Sequence, residues 1–218
     1  MSVDLVIVDY GMGNLRSIQK AFENIGFDAL ISSDPKRVEK SDVLILPGVG
    51  AFGDGIANIR SMGLEQPIMA HLGANKPLLG ICLGMQLLFE MGYENGIHKG
   101  LGWFAGDVVR FPPFPGTKVP HMGWNKVQFA NGENPMGKVR NGEYFYFVHA
   151  YFVRPSEPEI IATTTNHGTT FVSSVRLGNV LATQFHPEKS QKSGADLLKY
   201  FVQDIAGLDS KDYRDQGK

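Results

Sequence analysis

The chain has 218 residues, of which 43% are hydrophobic and 20% charged, and its formal net charge at pH 7 is −1. This length is enough for one sizeable α/β domain with a full hydrophobic core, although two lobes are possible. The charges are nearly balanced and form no basic cluster, which argues against a protein that binds nucleic acid or an anionic membrane.

The first half of the chain alternates apolar strands with helical patterns. Strands are predicted at residues 3–8, at Val43–Leu46 and at Leu78–Ile81, and helices at residues 14–25, ahead of Leu78–Ile81, and at residues 83–91. Such alternation indicates βαβ units and a parallel sheet. In a sheet of this kind the reactive groups lie at the carboxyl ends of the strands.

The second half changes to shorter strands separated by turns. Strands are predicted at residues 101–111, 124–129, 143–153, 160–165, 169–175 and 180–184, with turns at Asn131-Gly132, Asn141-Gly142 and Gly178-Asn179. They indicate antiparallel additions, and hence a three-layer α/β/α fold with a mainly parallel central sheet. A closing helix is predicted at residues 193–205. We therefore expect a single domain over residues 1–208 and a flexible tail over residues 209–218.

Cys82 is the only cysteine, and it lies between a predicted strand and a predicted helix in Gly80-Ile81-Cys82-Leu83-Gly84. The two glycines lack a Cβ, so strand and helix can approach closely around a strained central residue, as in a nucleophile elbow. Amides that open a helix favour negative charge, and the thiolate is the reactive form of cysteine. Because a lone cysteine is more often a small buried hydrophobe, a catalytic assignment needs further residues.

Those residues follow the last predicted strand, in Phe185-His186-Pro187-Glu188. In an extended segment positions two apart point to the same side, so His186 and Glu188 face one way. A carboxylate beside an imidazole fixes its tautomer and stabilises the imidazolium. We therefore predict a catalytic triad with Cys82 as nucleophile, His186 as base and Glu188 as the orienting acid.

A glycine-rich turn follows the predicted strand Val43–Leu46 and includes Gly48, Val49 and Gly50. Such a turn can direct backbone N–H groups at a developing oxyanion, with the amide of Leu83 as second donor. A plain turn is the alternative. Gln86 lies one helical turn beyond Cys82 on the same face, and we expect it to bind the amino-acid end of a substrate.

Cofactors, metals and membranes are not expected. The glycines at residues 11 and 13 invite a dinucleotide-binding interpretation, but Arg16 stands where G-x-G-x-x-G needs its third glycine. The histidines show no zinc-like spacing to one another or to Cys82.

No apolar stretch approaches the length of a transmembrane helix, and Asp4 and Asp9 interrupt what would be a signal peptide. The expected location is the cytoplasm.

Residues 80–86 and 185–188 together resemble the class I glutamine amidotransferases, and the resemblance extends across nearly the whole chain. Within that class, residues 9–15, 46–52, 120–125 and 144–149 are similar to the family of glutaminase subunits that serve imidazole glycerol phosphate synthases. The resemblance implies hydrolysis of L-glutamine to glutamate without a cofactor. It implies substrate contacts at His149, Ala150 and Tyr151. Ala150 stands where family members commonly carry Ser or Thr, so a main-chain contact is expected there.

The resemblance also implies a partner. In the family, ammonia passes to a separate cyclase subunit, a (β/α)8 barrel bound as a heterodimer. This cyclase forms imidazole glycerol phosphate and aminoimidazole carboxamide ribotide in histidine biosynthesis. We expect the glycine-rich turn to be misaligned in the isolated subunit and to be corrected when the partner and its ligand bind.

A docking surface for this partner is expected at the rim of the cleft. Tyr144 and Tyr146 share a strand face, and amphipathic aromatic residues are favoured interface anchors. Lys189, Trp124 and Asn14 are further candidates for the same surface. The alternative is that the rings of Tyr144 and Tyr146 fill the core of the subunit itself.

Three rival functions remain open. A glutaminase that feeds another synthase, such as that of anthranilate or pyridoxal phosphate formation, would share the triad but lack the segments that contain Trp124 and Tyr146. A free-standing cysteine hydrolase of the same fold would work at full rate without a partner. In a non-catalytic binding module the elbow would be a relic, although no triad residue is replaced in this chain.

Overall fold

Strands and helices alternate through the first half of the structure, a computed structural model that describes residues 4–130, 132 and 134–208. The strands are β1 (Leu5–Val8), β2 (Leu30–Ser32), β3 (Val43–Leu46), β4 (Leu78–Ile81), β5 (Phe89–Gly92), β6 (His98–Lys99), β7 (Phe104–Arg110), β8 (His121–Lys126), β9 (Gln128–Phe129), β10 (Tyr144–His149), β11 (Tyr151–Pro155), β12 (Ile161–His167), β13 (Thr169–Leu177) and β14 (Val180–Thr183).

The helices are α1 (Leu15–Asn24), α2 (Pro35–Lys40), α3 (Phe52–Ser61), α4 (Glu65–Gly73), α5 (Leu83–Leu87) and α6 (Gln191–Tyr200). Short 3₁₀ turns occur at Pro158–Ile160 and Pro187–Lys189, and a π-helical turn at Phe201–Ile205 continues α6. The predicted tail at residues 209–218 lies outside the described residues, as do Val3 and Asn131.

The central sheet has eight strands in the order β2-β1-β3-β4-β14-β13-β12-β9. The first five run parallel to one another, and β13, β12 and β9 are added antiparallel. Two smaller units accompany this sheet: a ribbon of β10 and β8, and a four-stranded sheet in the order β11-β7-β5-β6. The predicted oxyanion turn, Cys82 and the segment with His186 follow the carboxyl ends of β3, β4 and β14, respectively.

Side chains of the parallel strands alternate between two apolar cores. In β1, Val6 and Val8 join the core beneath α3, α4 and α5, whereas Leu5 and Ile7 join the core beneath α1 and α6. Because β1, β3, β4 and β14 are covered on both faces, the four residues of each are all buried, whereas the edge strand β2 is partly exposed. The predicted three-layer α/β/α fold is confirmed.

Several local features of the structure differ from those predicted. The helix predicted at residues 83–91 ends at Leu87, and Phe89–Gly92 instead forms β5, which pairs with β7. The strand predicted at residues 143–153 is two strands separated at Ala150, in two different sheets. Strand β2 and helix α2 were not predicted. Only some of the antiparallel strands extend the central sheet, since β8, β10 and β11 belong to the smaller units.

Candidate active site

Cys82 occupies the sharp turn between β4 and α5. Its backbone has φ 55° and ψ −109°, a region that residues with a side chain rarely adopt. The turn is held by the Cys82 amide, which donates to the Thr183 carbonyl of β14 at 2.7 Å. Gly84 is needed next to it, because a Cβ there would overlap the carbonyl of Leu46. The sulfur therefore sits at the start of a helix and at the end of two neighbouring parallel strands.

His186 and Glu188 form a buried ion pair behind this turn. Nδ1 of His186 lies 2.8 Å from Oε1 of Glu188, and the two side chains are 3% and 2% exposed. The 3₁₀ turn at Pro187–Lys189 brings the carboxylate back against the ring. Burial alone would lower the pKa of His186, but Cys82 and then Glu188 raise it to about 10. The ring is therefore held as an imidazolium at neutral pH.

The other ring nitrogen of His186 is available to the nucleophile. Nε2 is buried and has no ordinary hydrogen-bond partner among the described residues, whereas the ring interacts with Cys82. The Cys82 sulfur lies 4.0 Å from the carbonyl oxygen of Val148 and 3.7 Å from Nε2 of Gln184. The structure thus brings the three predicted triad residues into one buried cluster.

The glycine-rich turn places a carbonyl group where an oxyanion would need a donor. The amide of Leu83 donates to the carbonyl oxygen of Gly48 at 3.4 Å, so this amide is occupied. The turn is anchored by the buried Tyr10, whose hydroxyl donates to the carbonyl of Pro47 at 2.6 Å. A Cβ on Gly48 would overlap that hydroxyl, and a Cβ on Gly50 would overlap the end of Met12.

A cavity of about 290 Å³ opens beside Cys82. Seven of the eight predicted substrate and oxyanion residues line it, and Gly48 does not. The lining consists of Val49, Gly50, Cys82, Leu83, Gln86, Glu94, Val148, His149, Ala150 and Tyr151. The cavity walls come from the glycine-rich turn, the elbow helix and the break between β10 and β11.

Three residues at this site were not predicted as site residues: Glu94, Val148 and Gln184. One carboxylate oxygen of Glu94 accepts a hydrogen bond from the amide of Phe52 at 2.8 Å, and the residue supplies a negative charge to the cavity wall. Glu94 follows a segment predicted as helix, so no pattern pointed to it. Gln184 directly precedes the Phe185-His186 segment, and that adjacency was the one available signal.

His149 lies in the cavity wall, and its ring contacts the ring of His121. Its Nδ1 donates to the carbonyl of Tyr151 at 2.8 Å, and its Nε2 lies 3.0 Å from Nδ1 of His121. Burial lowers the pKa of His149 to about 3 and that of His121 to about 4. His167 stacks on His121 at 4.1 Å between ring centroids. The rings of His149 and His121 stay uncharged at neutral pH.

Of the predicted interface residues, Tyr146 lies near His186, with 6.4 Å between the two ring centroids. Tyr144 and Trp124 are 49% and 47% exposed, so they do not fill the core of the chain. Lys189 places its ammonium over the ring of half-buried Tyr146, at 5.7 Å from the ring centroid. Asn14 is exposed and caps α1 by accepting from the amide of Ser17 at 3.4 Å.

The described ranges contain neither a metal-binding cluster nor a helix that could span a membrane. Across residues 4–130, 132 and 134–208, no group of three or more His, Cys, Asp or Glu side chains is arranged to hold a metal ion. Within the same ranges, none of the helices combines the length and apolar character that a membrane span requires.

Comparisons with known proteins agree on one family. The family model "Glutamine amidotransferase class-I" matches residues 6–205. The chain is 53% identical over 198 residues to the imidazole glycerol phosphate synthase subunit HisH of Rhodopirellula baltica, covering 91% of this chain and 96% of that protein. It is 49% identical over 197 residues to the HisH subunit of Aquifex aeolicus, covering 90% and 94%.

Solved structures share the fold at lower identity. A crystal structure of a glutamine amidotransferase matches with a TM-score of 0.71 and 22% identity, over 94% of this chain and 100% of that one. PurLQS from Thermotoga maritima matches with a TM-score of 0.70 and 20% identity, over 94% and 100%.

Proposed function

The chain belongs to the class-I glutamine amidotransferase family, and on that premise we propose that it is the glutaminase subunit of an imidazole glycerol phosphate synthase. It hydrolyses L-glutamine to glutamate and ammonia, and the ammonia serves a cyclase subunit in histidine biosynthesis. The observation that carries the proposal is the position of Cys82, which lies against a cavity of amino-acid size and interacts with the His186–Glu188 pair.

The first half-reaction forms a thioester. The Cys82 thiolate attacks the carboxamide carbon of glutamine, and the carbonyl oxygen becomes an oxyanion. The His186 imidazolium gives its proton to the departing nitrogen, which leaves as ammonia. Glu188 holds the ring in the orientation that this transfer needs, because its carboxylate binds Nδ1 and leaves Nε2 facing the sulfur.

The second half-reaction returns the enzyme to its starting state. His186, now neutral, takes a proton from a water molecule as the water attacks the thioester carbon. Glutamate leaves, and the sulfur departs as a thiolate beside a protonated ring. The carboxylate of Glu94 in the cavity wall suits the α-ammonium group of the substrate, and Gln86 lies in the same wall.

The oxyanion turn is closed in this conformation. The Leu83 amide donates its hydrogen bond to the Gly48 carbonyl, so one of the expected oxyanion donors is unavailable to the substrate. A rotation of the Gly48–Val49 peptide would turn that carbonyl away and direct the Val49 amide into the cavity, which Val49 already lines. Glycine flanks this peptide on one side, so the rotation meets little steric resistance. We assign this rotation to the binding of the partner and its ligand.

The partner is a cyclase subunit with a (β/α)8 barrel, bound as a heterodimer. The exposed aromatic residues of β10 and β8, together with Lys189, supply a docking surface next to His186. One domain over residues 1–208 carries both this surface and the cavity. A single free thiol fits a reducing cytoplasm, where we place the pair.

The test of this function is glutamine hydrolysis by the chain alone, with the cyclase, and with the cyclase and its nucleotide substrate. Removing one oxyanion donor typically lowers the rate by about 10² to 10³, so stimulation of about this size is expected, and in kcat. Full activity of the isolated chain would instead indicate a free-standing hydrolase. Stimulation confined to KM would contradict the closed oxyanion turn.

Replacing Cys82 with Ala should abolish glutamine-dependent synthesis by the complex. The same complex should still use added ammonium salts, because only the source of ammonia has been removed. Both rates are measured on one preparation, so the ammonium-dependent rate is the control for an assembled complex. Glutamine hydrolysis that survives in Cys82→Ala would exclude Cys82 as the nucleophile.

A further inference from the structure

Gln184 is a buried polar residue that the triad mechanism does not use. It lies at the end of β14, is 0% exposed, and places its side-chain Nε2 3.7 Å from the sulfur of Cys82. Its backbone amide donates to the Ser173 carbonyl of β13 at 2.9 Å, which fixes the backbone position from which the side chain extends. A fully buried amide of this kind needs partners for both of its ends.

The orientation of this amide is set by its neighbours. Nε2 of Gln86 donates both to Oε1 of Gln184 at 3.0 Å and to the carbonyl of Tyr151 at 3.0 Å. A main-chain carbonyl can only accept, so turning the Gln86 amide over would break both bonds. Oε1 of Gln184 is thereby occupied, and the N–H groups of Gln184 are left to face the sulfur.

The Tyr151 carbonyl is in turn held from the other side. Nδ1 of His149 donates to it at 2.8 Å, and Nε2 of His149 lies 3.0 Å from Nδ1 of His121. Nε2 of His121 lies 3.1 Å from the side-chain nitrogen of Asn125, which donates. A neutral imidazole has one N–H donor and one acceptor nitrogen. Because Asn125 donates to His121, His121 donates to His149. His149 in turn donates to the Tyr151 carbonyl.

From this network we propose that Gln184 is a catalytic residue, whose side-chain amide donates an N–H···S hydrogen bond that stabilises the Cys82 thiolate. The thiol and thiolate forms have different partners. The thiol can donate to the Val148 carbonyl at 4.0 Å, whereas the thiolate accepts from Gln184 at 3.7 Å. A hydrogen bond to the charged form favours that form, and more strongly when both groups are buried. Gln184 therefore acts beside His186 in holding the nucleophile ionised.

The experiment is the pH dependence of Cys82 alkylation by iodoacetamide, in which the thiolate displaces iodide. Cys82 is the only thiol, so the reaction reports on this one sulfur. In Gln184→Glu the oxygen toward Gln86 is kept, but the donor toward the sulfur is replaced by an acceptor. The midpoint of the profile should rise by about one to two pH units. At pH values below the wild-type midpoint, the reaction should slow about tenfold for each unit of that rise.

Two further variants make the result specific. Gln184→Met removes the donor without adding a charge, and should raise the midpoint by a smaller amount. Gln128→Glu makes the same change on exposed strand β9, and should leave the profile unchanged. Circular dichroism and thermal unfolding establish which variants are folded. If Gln184→Glu does not fold, Gln184→Met alone decides the outcome.

The proposal rests on the proposed function only in taking Cys82 as the nucleophile. The alkylation assay uses the full chain without glutamine or cyclase, so the two can fail separately. A folded Gln184→Met variant with the wild-type midpoint would overturn the hydrogen bond and leave the glutaminase intact. A shifted midpoint in a chain that never hydrolyses glutamine would support the bond and overturn the function. A purely structural role would lower the unfolding temperature without moving the midpoint.

Discussion

His186 is held in its protonated form by its neighbours in the site. Burial opposes its charge, yet the interactions with Cys82 and Glu188 raise its pKa to about 10, above the usual value of about 6.5. A histidine with a raised pKa stabilises the folded state fully below the unfolded value, and this contribution is lost as pH rises through about 10. The site therefore holds the proton that the leaving ammonia needs.

We predict that Cys82→Ser lowers the pKa of His186. Cys82 is the largest of the causes that raise this pKa. A serine hydroxyl carries no charge at neutral pH, so less opposes the effect of burial, which lowers the pKa of the ring. The check is an NMR titration of the His186 ring in the wild type and the variant. His149, whose pKa burial lowers to about 3, serves as an internal control because it should stay neutral in both. A pKa of about 10 in both chains would show that Glu188 alone charges the ring.

Glu188→Gln should retain more glutaminase activity than His186→Ala. In a serine protease series, losing the nucleophile or the base costs on the order of 10⁶-fold in kcat, and losing the orienting acid costs less. The carboxylate here binds only Nδ1, so its loss leaves the proton-transferring nitrogen in place. Both variants are assayed in the complex with the cyclase. Equal losses would show that Glu188 does more than orient the ring.

At the scale of elements, the elbow depends on the contact between α5 and the end of β3. A Cβ on Gly84 would overlap the Leu46 carbonyl, which immediately precedes the oxyanion turn. Gly73, at the end of α4, has open space around the same position. The two glycines are therefore a matched pair, one required by packing and one not.

We predict that Gly84→Ala lowers the free energy of unfolding by about 1 to 3 kcal/mol or more, as overpacking does. Gly73→Ala should be neutral or stabilising by about 0.4 to 1 kcal/mol, because alanine restricts the unfolded chain. Urea unfolding of the two variants and the wild type measures both effects. A Gly84→Ala chain as stable as Gly73→Ala would mean that α5 can move away from β3 at little cost.

Sequence patterns predicted the elements whose causes are local. The strand Leu78–Ile81 and the elbow follow from an apolar run and two flanking glycines, and the two faces of β10 follow from alternation, with Phe145 and Phe147 buried. The end of the helix predicted at residues 83–91 was wrong because Phe89–Gly92 pairs with β7, a contact between distant segments. The hydrogen bond from Gln86 to Gln184 spans 98 residues, and no local pattern contains it.

At the scale of the whole molecule, the backbone of β10 connects the proposed docking surface to the segment that carries His186. The amide of His186 donates to the Tyr146 carbonyl at 2.9 Å, and the Tyr146 amide donates to the Ser190 hydroxyl at 3.0 Å. The Tyr146 ring lies 6.3 Å from the ring of Trp124, measured between centroids. One face of β10 thus meets solvent while its backbone holds the segment that carries His186. A partner seated on this face can act on the active site directly.

We therefore predict that Tyr146→Ala and Lys189→Ala weaken cyclase binding or reduce its stimulation of glutamine hydrolysis. Truncation of an aromatic anchor costs about 2 kcal/mol or more in association. A change of charge at the rim mainly alters the association rate and its salt dependence. Lys40→Ala on α2 is the control for the loss of a lysine, because α2 packs in the apolar core on the opposite side of the central sheet from the core that contains Phe145 and Phe147 of β10. Each variant is titrated against the cyclase, with circular dichroism to verify folding. Wild-type affinity together with wild-type stimulation in both variants would place the interface on another face, and ammonia would then have to leave Cys82 by a route that avoids β10.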